Sequence, residues 1–181
     1  KVIGSVEELA SQRFSSNSYT LMRHGHSERQ LSDIMSCWPE KKPLPLTPQG
    51  RAQVKKQAKE LKKQKIDFIF TSDLLRARQT AEIAGTIIGI KPIVAKELRE
   101  VNVGALNGKH VTEIGKAWAK PGEAPEEHYL RRFDDPMPGG ESWYDVQKRM
   151  YEFVSGLEKK YKGKRILLVS HELPLSMLEA T

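Results

Sequence analysis

The sequence predicts an α/β protein, a three-layer α/β/α sandwich around a mostly parallel sheet. Short apolar runs of strand length alternate with helical stretches, the pattern of strands joined by helices. Two of the runs, Tyr19-Thr20-Leu21-Met22 and Ile166-Leu167-Leu168-Val169, lead into a histidine, in Arg23-His24-Gly25 and in Ser170-His171. In open α/β sheets the crevice outside the carboxyl ends of the strands is where ligands bind. A chain of 181 residues is long enough for one domain with a sizeable core.

Residues 1–17 read as an extension or linker, with one helical turn signalled by Ser5-Val6-Glu7-Glu8-Leu9. Residues 18–181 read as the folded domain, clipped at its carboxyl end. The first strand spans 19–23. Residues 26–48 lack sustained periodicity and are broken by Pro39, Pro43, Pro45 and Pro48, so they form a long loop near the site. Thr47 is the N-cap and Pro48 the first residue of a helix reaching about residue 63. Residues 67–71 form a second strand, and Ser72-Asp73 caps a helix that stops near Gly89. Residues 92–95 are a short third strand, followed by a turn at Leu98-Arg99-Glu100. Helices are expected over 111–119 and 126–133. Gly139-Gly140 makes a turn, with Glu141 and Ser142 structural, before a long helix over 143–161. That helix carries Trp143, Val146, Met150, Phe153, Val154 and Leu157 on one face. A last strand spans 165–170, and a helix begins at Leu175.

Composition narrows the class. Hydrophobic residues at 38% and charged residues at 29% describe an ordinary soluble globular protein. No apolar run approaches the ~20 residues of a membrane span, and the first residues lack a signal peptide's apolar core. The single cysteine, Cys37, excludes an internal disulfide and suits a reducing compartment, so a cytoplasmic location is expected. The net charge of +7 gathers in residues 55–65 and 159–165, which read as solvated helix faces rather than a nucleic-acid surface. With no zinc spacing, Walker loop or GxGxxG before a helix, no metal and no cofactor is expected.

Four motifs, LMRHG at Leu21 to Gly25, TSDLLRARQTA at Thr71 to Ala81, PGGES at Pro138 to Ser142 and LLVSH at Leu167 to His171, occur in this order. In them the chain resembles the histidine phosphatase superfamily, also called phosphoglycerate-mutase-like, from about Ser18 to Thr181. The resemblance implies a metal-independent phosphomonoester hydrolase with a phosphorylated small-molecule substrate. Mutase-type phosphoryl transfer is the second enzymatic reading, and a non-catalytic phosphate-binding module is the third. The opening KVIGSVEEL also resembles a stretch of isoleucyl-tRNA synthetases, which implies a domain inserted in such a chain. A common helical pattern gives the same residues without that kinship, and both readings stay open.

His24 is the candidate nucleophile. A neutral imidazole attacks phosphorus through one ring nitrogen when the other donates its hydrogen to a backbone carbonyl. Arg23 and Arg76 are the candidate phosphate clamps, since a guanidinium fork matches phosphoryl oxygens. His171 is expected to donate to the same oxygens, and two arginines with two histidines would neutralise a phosphate dianion. The family's LxExxxG pattern falls on Leu98 to Gly104 and makes Glu100 the proton donor. Gln30 stands where the family often has a phosphate-binding asparagine. Glu172 follows the second histidine where the family commonly has glycine, and the acid-phosphatase branch has an aspartate donor; it is the alternative acid. Arg78 and Arg99 read as surface charges, and His26 as either a substrate contact or an exposed side chain.

Overall fold

A computed structural model of the chain describes residues 16–113 and 120–179. Four strands, β1 (Ser18–Arg23), β2 (Phe68–Thr71), β3 (Ile93–Val94) and β4 (Arg165–Ser170), form one sheet in the order β1-β4-β2-β3. Every pairing is parallel. The last strand in sequence therefore lies between the first two and is buried on both faces. That position explains its unbroken apolar run, because a central parallel strand has no solvent face to fill with polar residues.

Among the described residues the helices are α1 (Glu28–Ser32), α2 (Pro48–Lys62), α3 (Leu75–Ile88), α4 (Pro125–Arg131), α5 (Trp143–Lys160) and α6 (Glu172–Glu179). Alternation along β4 divides the core in two. Leu167 and Val169 face α2 and α3, meeting Val54, Leu61, Ala77 and Ala81. Ile166 and Leu168 face the other way, onto Val146, Met150, Val154 and Leu157 of α5 and Met177 of α6. The three layers follow from this two-sided burial. A third cluster of Met35, Cys37, Val103, Leu106 and Met137 lies under the loops beyond the sheet. Cys37 is fully buried there, and burial pushes its thiol pKa up, which suits a packing residue.

Local signals act as their chemistry dictates. Thr47 Oγ1 accepts from Gly50 N at 3.1 Å, and Pro48 opens α2, where its missing N–H would have no partner. Ser142 and Asp145 exchange hydrogen bonds at the start of α5. Glu141 accepts from Asn102 N and from Arg149, tying the PGGES segment to the loop after Glu100.

Six expectations are corrected. The long loop contains α1, built on a capping box between Ser27 and Gln30. The N-cap of α3 is Leu74, not Ser72-Asp73; Asp73 instead pairs with Arg99, whose guanidinium also lies over the Trp38 ring. Arg99 is thus a buttress between loops and not a free surface charge. The third strand has shrunk to Ile93–Val94. Helix α4 starts at Pro125 and ends at Arg131, and α6 starts at Glu172, because Pro174 in its first turn needs no N–H partner. Most of the helix expected over 111–119, and the helical turn and synthetase-like stretch at the amino end, lie outside the described residues. No helix among the described residues is long and apolar enough to cross a membrane.

Candidate active site

Three adjacent strand ends build the site. The register Arg23↔Ser170 continues one residue further, where His24 N donates to Ser170 O at 3.0 Å. That sets His24 beside His171, with ring centroids 5.2 Å apart. Ser72, just past β2, donates its backbone N–H to Val169 O and so joins the same edge. Neither histidine needed a search through loops, because both are carried by hydrogen-bonded strands.

His24 is buried, with Nδ1 2.8 Å from Gly25 O. A carbonyl only accepts, so Nδ1 carries the hydrogen and Nε2 holds the free lone pair. Burial and then Arg76 push the His24 pKa down to about 3, keeping the ring neutral at neutral pH. The turn after it needs a bare backbone: a Cβ on Gly25 would lie 2.7 Å from Val54 Cγ2, and one on Gly50 would lie 1.9 Å from His26 O. Thr80, one turn beyond Arg76 on α3, accepts from Gly25 N at 3.1 Å.

Arg76 is almost fully buried. Its Nε donates to His24 Nε2 at 3.1 Å, covering the lone pair of the ring. Nη2 donates to Ser36 O at 3.1 Å and Nη1 to Ser36 Oγ at 3.3 Å, and the Glu40 carboxylate stands 3.7 Å from Nη1. Glu40 also accepts from Leu75 N at 2.9 Å, so the loop that follows α1 latches onto the start of α3.

His171 is wholly buried, and its pKa lies well below the usual value, through burial first and then Arg76 and His24. Its Nε2 is 2.9 Å from Ser72 Oγ, while its Nδ1 is buried without a hydrogen-bond partner. An unpartnered buried ring nitrogen costs about 1–3 kcal/mol, so it is a place where a ligand atom would be welcome. The positive charge of the site comes from the guanidiniums and not from the histidines.

The remaining candidates divide. Arg23 pairs with Glu172 at 3.0 Å on the rim, both side chains being well exposed. Glu100 is partly buried, accepts from Val101 N at 3.0 Å, and has its pKa raised by burial against the opposing pull of Arg76, Arg29 and Arg149. His24, Arg76, His171, Arg23, Glu172 and Glu100 thus gather at one corner. Gln30 does not join them through its amide oxygen, which accepts from Ser27 N and Ser27 Oγ in the α1 cap. His26 turns its Nδ1 to Thr47 Oγ1 at 3.0 Å, away from the corner.

Sequence reasoning passed over Arg29, Ser36, Glu40, Ser72 and Thr80. Ser72 and Thr80 stand inside a quoted motif, and the spacing of four from Arg76 to Thr80 on a helix was available. Arg29 contributes to the field on both His24 and Glu100, yet no periodicity marks it. A cleft of about 420 Å³ opens from Ser36, Glu100 and Glu172 toward the loops and α6. Among the described residues no group of three or more His, Cys, Asp or Glu could hold a metal ion.

The chain is also similar to known proteins. The chain is 31% identical over 166 residues to a probable phosphoglycerate mutase from Photorhabdus laumondii, covering 89% of this chain and 72% of that protein. It is 33% identical over 163 residues to a 2,3-bisphosphoglycerate-dependent phosphoglycerate mutase from Mesorhizobium japonicum, covering 86% and 76%. Among solved structures it resembles a mycobacterial glucosyl-3-phosphoglycerate phosphatase with a TM-score of 0.71 and 28% identity, covering 88% of this chain and 76% of that one. The alpha-ribazole phosphatase of Shigella flexneri shares the fold at a TM-score of 0.74 and 24% identity, covering 90% and 77%. A family description matches residues 19–181, and the chain belongs to that family: the histidine phosphatase superfamily, branch 1.

Proposed function

We propose that the protein hydrolyses phosphomonoesters through a phosphohistidine on His24, with no metal ion in the reaction. The observation that carries this reading is the His24 ring. One nitrogen is fixed on Gly25 O, the other faces a buried guanidinium, and the ring is neutral.

An arriving phosphoryl group takes the place of His24 Nε2 as acceptor for Arg76 Nε–H. Arg23 and Arg76 hold the equatorial oxygens, and His171 Nδ1 donates to one of them if Ser72 gives its proton to Nε2. The Nε2 lone pair attacks phosphorus, forming a P–N bond as the P–O bond to the ester oxygen breaks. Glu100, whose pKa burial raises, gives its proton to the departing oxygen. The Glu100 carboxylate then takes a proton from water, whose oxygen attacks phosphorus. The P–N bond breaks, its electron pair returns to Nε2, and inorganic phosphate leaves.

Mutase activity shares the first half of this scheme and returns the phosphoryl group to a second substrate hydroxyl. The names of the two mutase relatives favour it, and that of the mycobacterial phosphatase favours hydrolysis. Glu172 speaks for neither enzyme, since it neutralises Arg23 at the rim. The test is hydrolysis of an aryl phosphate from about pH 4 to about pH 8 with EDTA present. Turnover that survives EDTA and disappears in His24→Ala supports the reading. No turnover by a folded protein that still binds vanadate would favour a phosphate-binding module, and mutase activity is assayed separately on 3-phosphoglycerate primed with a bisphosphate.

A further inference from the structure

The cleft beside Glu100 has two unlike ends. Its inner end carries Ser36, the partner of Arg76, together with Glu100, Glu172 and Arg29. Its outer wall is apolar and aromatic, formed by Val101, Tyr129, Met137, Trp143, Leu173 and Met177. Met137 and Met177 are nearly buried, and the Tyr129 and Trp143 rings meet edge to face with centroids 5.0 Å apart. The volume of about 420 Å³ falls within the range of small-molecule sites. The remaining cation on the wall, Arg132, lies over the Trp143 ring and has its Nη2 3.1 Å from His128 Nε2.

We propose that the substrate's leaving group is apolar, an alkyl or aryl alcohol without a carboxylate, seated against this wall while its phosphoryl group is held by the arginines. This deepens the phosphatase reading and rests on it. A leaving group departing past Glu100 is directed into the cleft Glu100 lines, so the wall it meets is apolar. A second anionic group against that wall would leave water for apolar side chains, with Arg132 already held over Trp143 and on His128, whereas a methylene chain gains by leaving water. Flexible methionines suit chains of varied shape.

The test is a homologous series of n-alkyl phosphates, ethyl, butyl and hexyl, alongside 3-phosphoglycerate. Leaving-group chemistry is nearly constant along the series, so kcat/KM reports the fit of the chain. We expect a rise of roughly two- to fourfold per methylene, and hexyl phosphate well ahead of 3-phosphoglycerate. Met137→Gln and Tyr129→Ser are each expected to lower the hexyl-to-ethyl ratio by at least about threefold, from one methylene's worth of lost burial. A partial folding loss lowers both rates and leaves that ratio unmoved, and Tyr129 is exposed enough to replace safely. A flat series, or 3-phosphoglycerate turned over faster than hexyl phosphate, overturns the proposal while leaving the phosphatase reading in place. No turnover of any monoester by the folded protein removes both.

Discussion

At His24 the two ring nitrogens are assigned different work by their neighbours. Gly25 O fixes the hydrogen on Nδ1, and Arg76 faces Nε2, so the ring is oriented and neutral before any ligand arrives. Removing it by His24→Ala is expected to lower phosphatase turnover by more than about 10⁴-fold, because the oriented, neutral attacking nitrogen is lost. The acid is decided by a pair of variants. Glu100→Gln should lower kcat on an alkyl phosphate by about 10²- to 10⁴-fold, and Glu172→Gln should leave kcat within severalfold while changing phosphate affinity through Arg23. The reverse ranking would move the acid to Glu172. The pH profile carries the same signature. With the His24 pKa down at about 3, protonation of the nucleophile does not limit the rate in weak acid. The rate falls as pH rises through the raised pKa of Glu100, and Glu100→Gln should erase that alkaline limb.

At the scale of elements, the strand ends do the positioning and the loops hold the clamps. Ser72 at the end of β2 sets His171 on β4. Its Oγ accepts from Leu74 N at 3.3 Å and lies 2.9 Å from His171 Nε2. Ser72→Ala is expected to weaken vanadate binding about tenfold through loss of one donor's orientation, and Ser72→Thr should restore it; unchanged binding in Ser72→Ala would show that His171 needs no partner. The start of α2 is packed backbone to backbone against His26, so Gly50→Ala should destabilise the fold by about 1–3 kcal/mol or more, read as a lower urea midpoint. How far these elements were legible depends on where their signals lie. Thr47-Pro48 and Ser142 with Asp145 write a cap in adjacent residues, and the apolar stripe of α5 repeats over several turns, so both helices could be read from the chain. Helix α1 is a single turn with no apolar stripe, held by Ser27 and Gln30, and its cap engages the amide oxygen of the side chain that the resemblance offered as a phosphate contact. Ser36 and Glu40 reach Arg76 across some forty residues of sequence from an aperiodic loop. Nothing in local pattern encodes such a contact; only the sheet order, with β4 between β1 and β2, brings it about.

For the whole molecule, the site is a cost carried by the core. The fully buried strand β4, packed on both faces, supplies the stability that lets two neutral histidines and a guanidinium sit out of water. Leu168→Ala should remove about 2–5 kcal/mol, measured by chemical denaturation. The histidines also tie stability to pH. Their folded pKa values are depressed, so the stabilisation is complete above about 6.5, the unfolded value, and is lost as pH falls toward the folded values. Each histidine contributes up to about 1.4 kcal/mol per pH unit in that window. Glu100 acts in the opposite sense, its raised pKa favouring the folded state below the ordinary carboxylate value and losing that contribution as pH rises through the folded value. Two histidines against one glutamate leave a net loss of stability between about pH 6 and about pH 5, and His171→Asn should flatten it. Stability that holds level or rises over that interval would place a charge on one of the rings.

The central claim, covalent phosphoryl transfer through His24, is tested most directly by trapping. The protein is mixed with an aryl phosphate, quenched in denaturant at alkaline pH within a single turnover, digested and examined by mass spectrometry. One added phosphoryl group is expected on the peptide containing His24, stable in alkali, lost in acid, and lost when the quench is delayed until the substrate is exhausted. Turnover at an undiminished rate with no adduct at His24, or with the adduct on another residue, would contradict it.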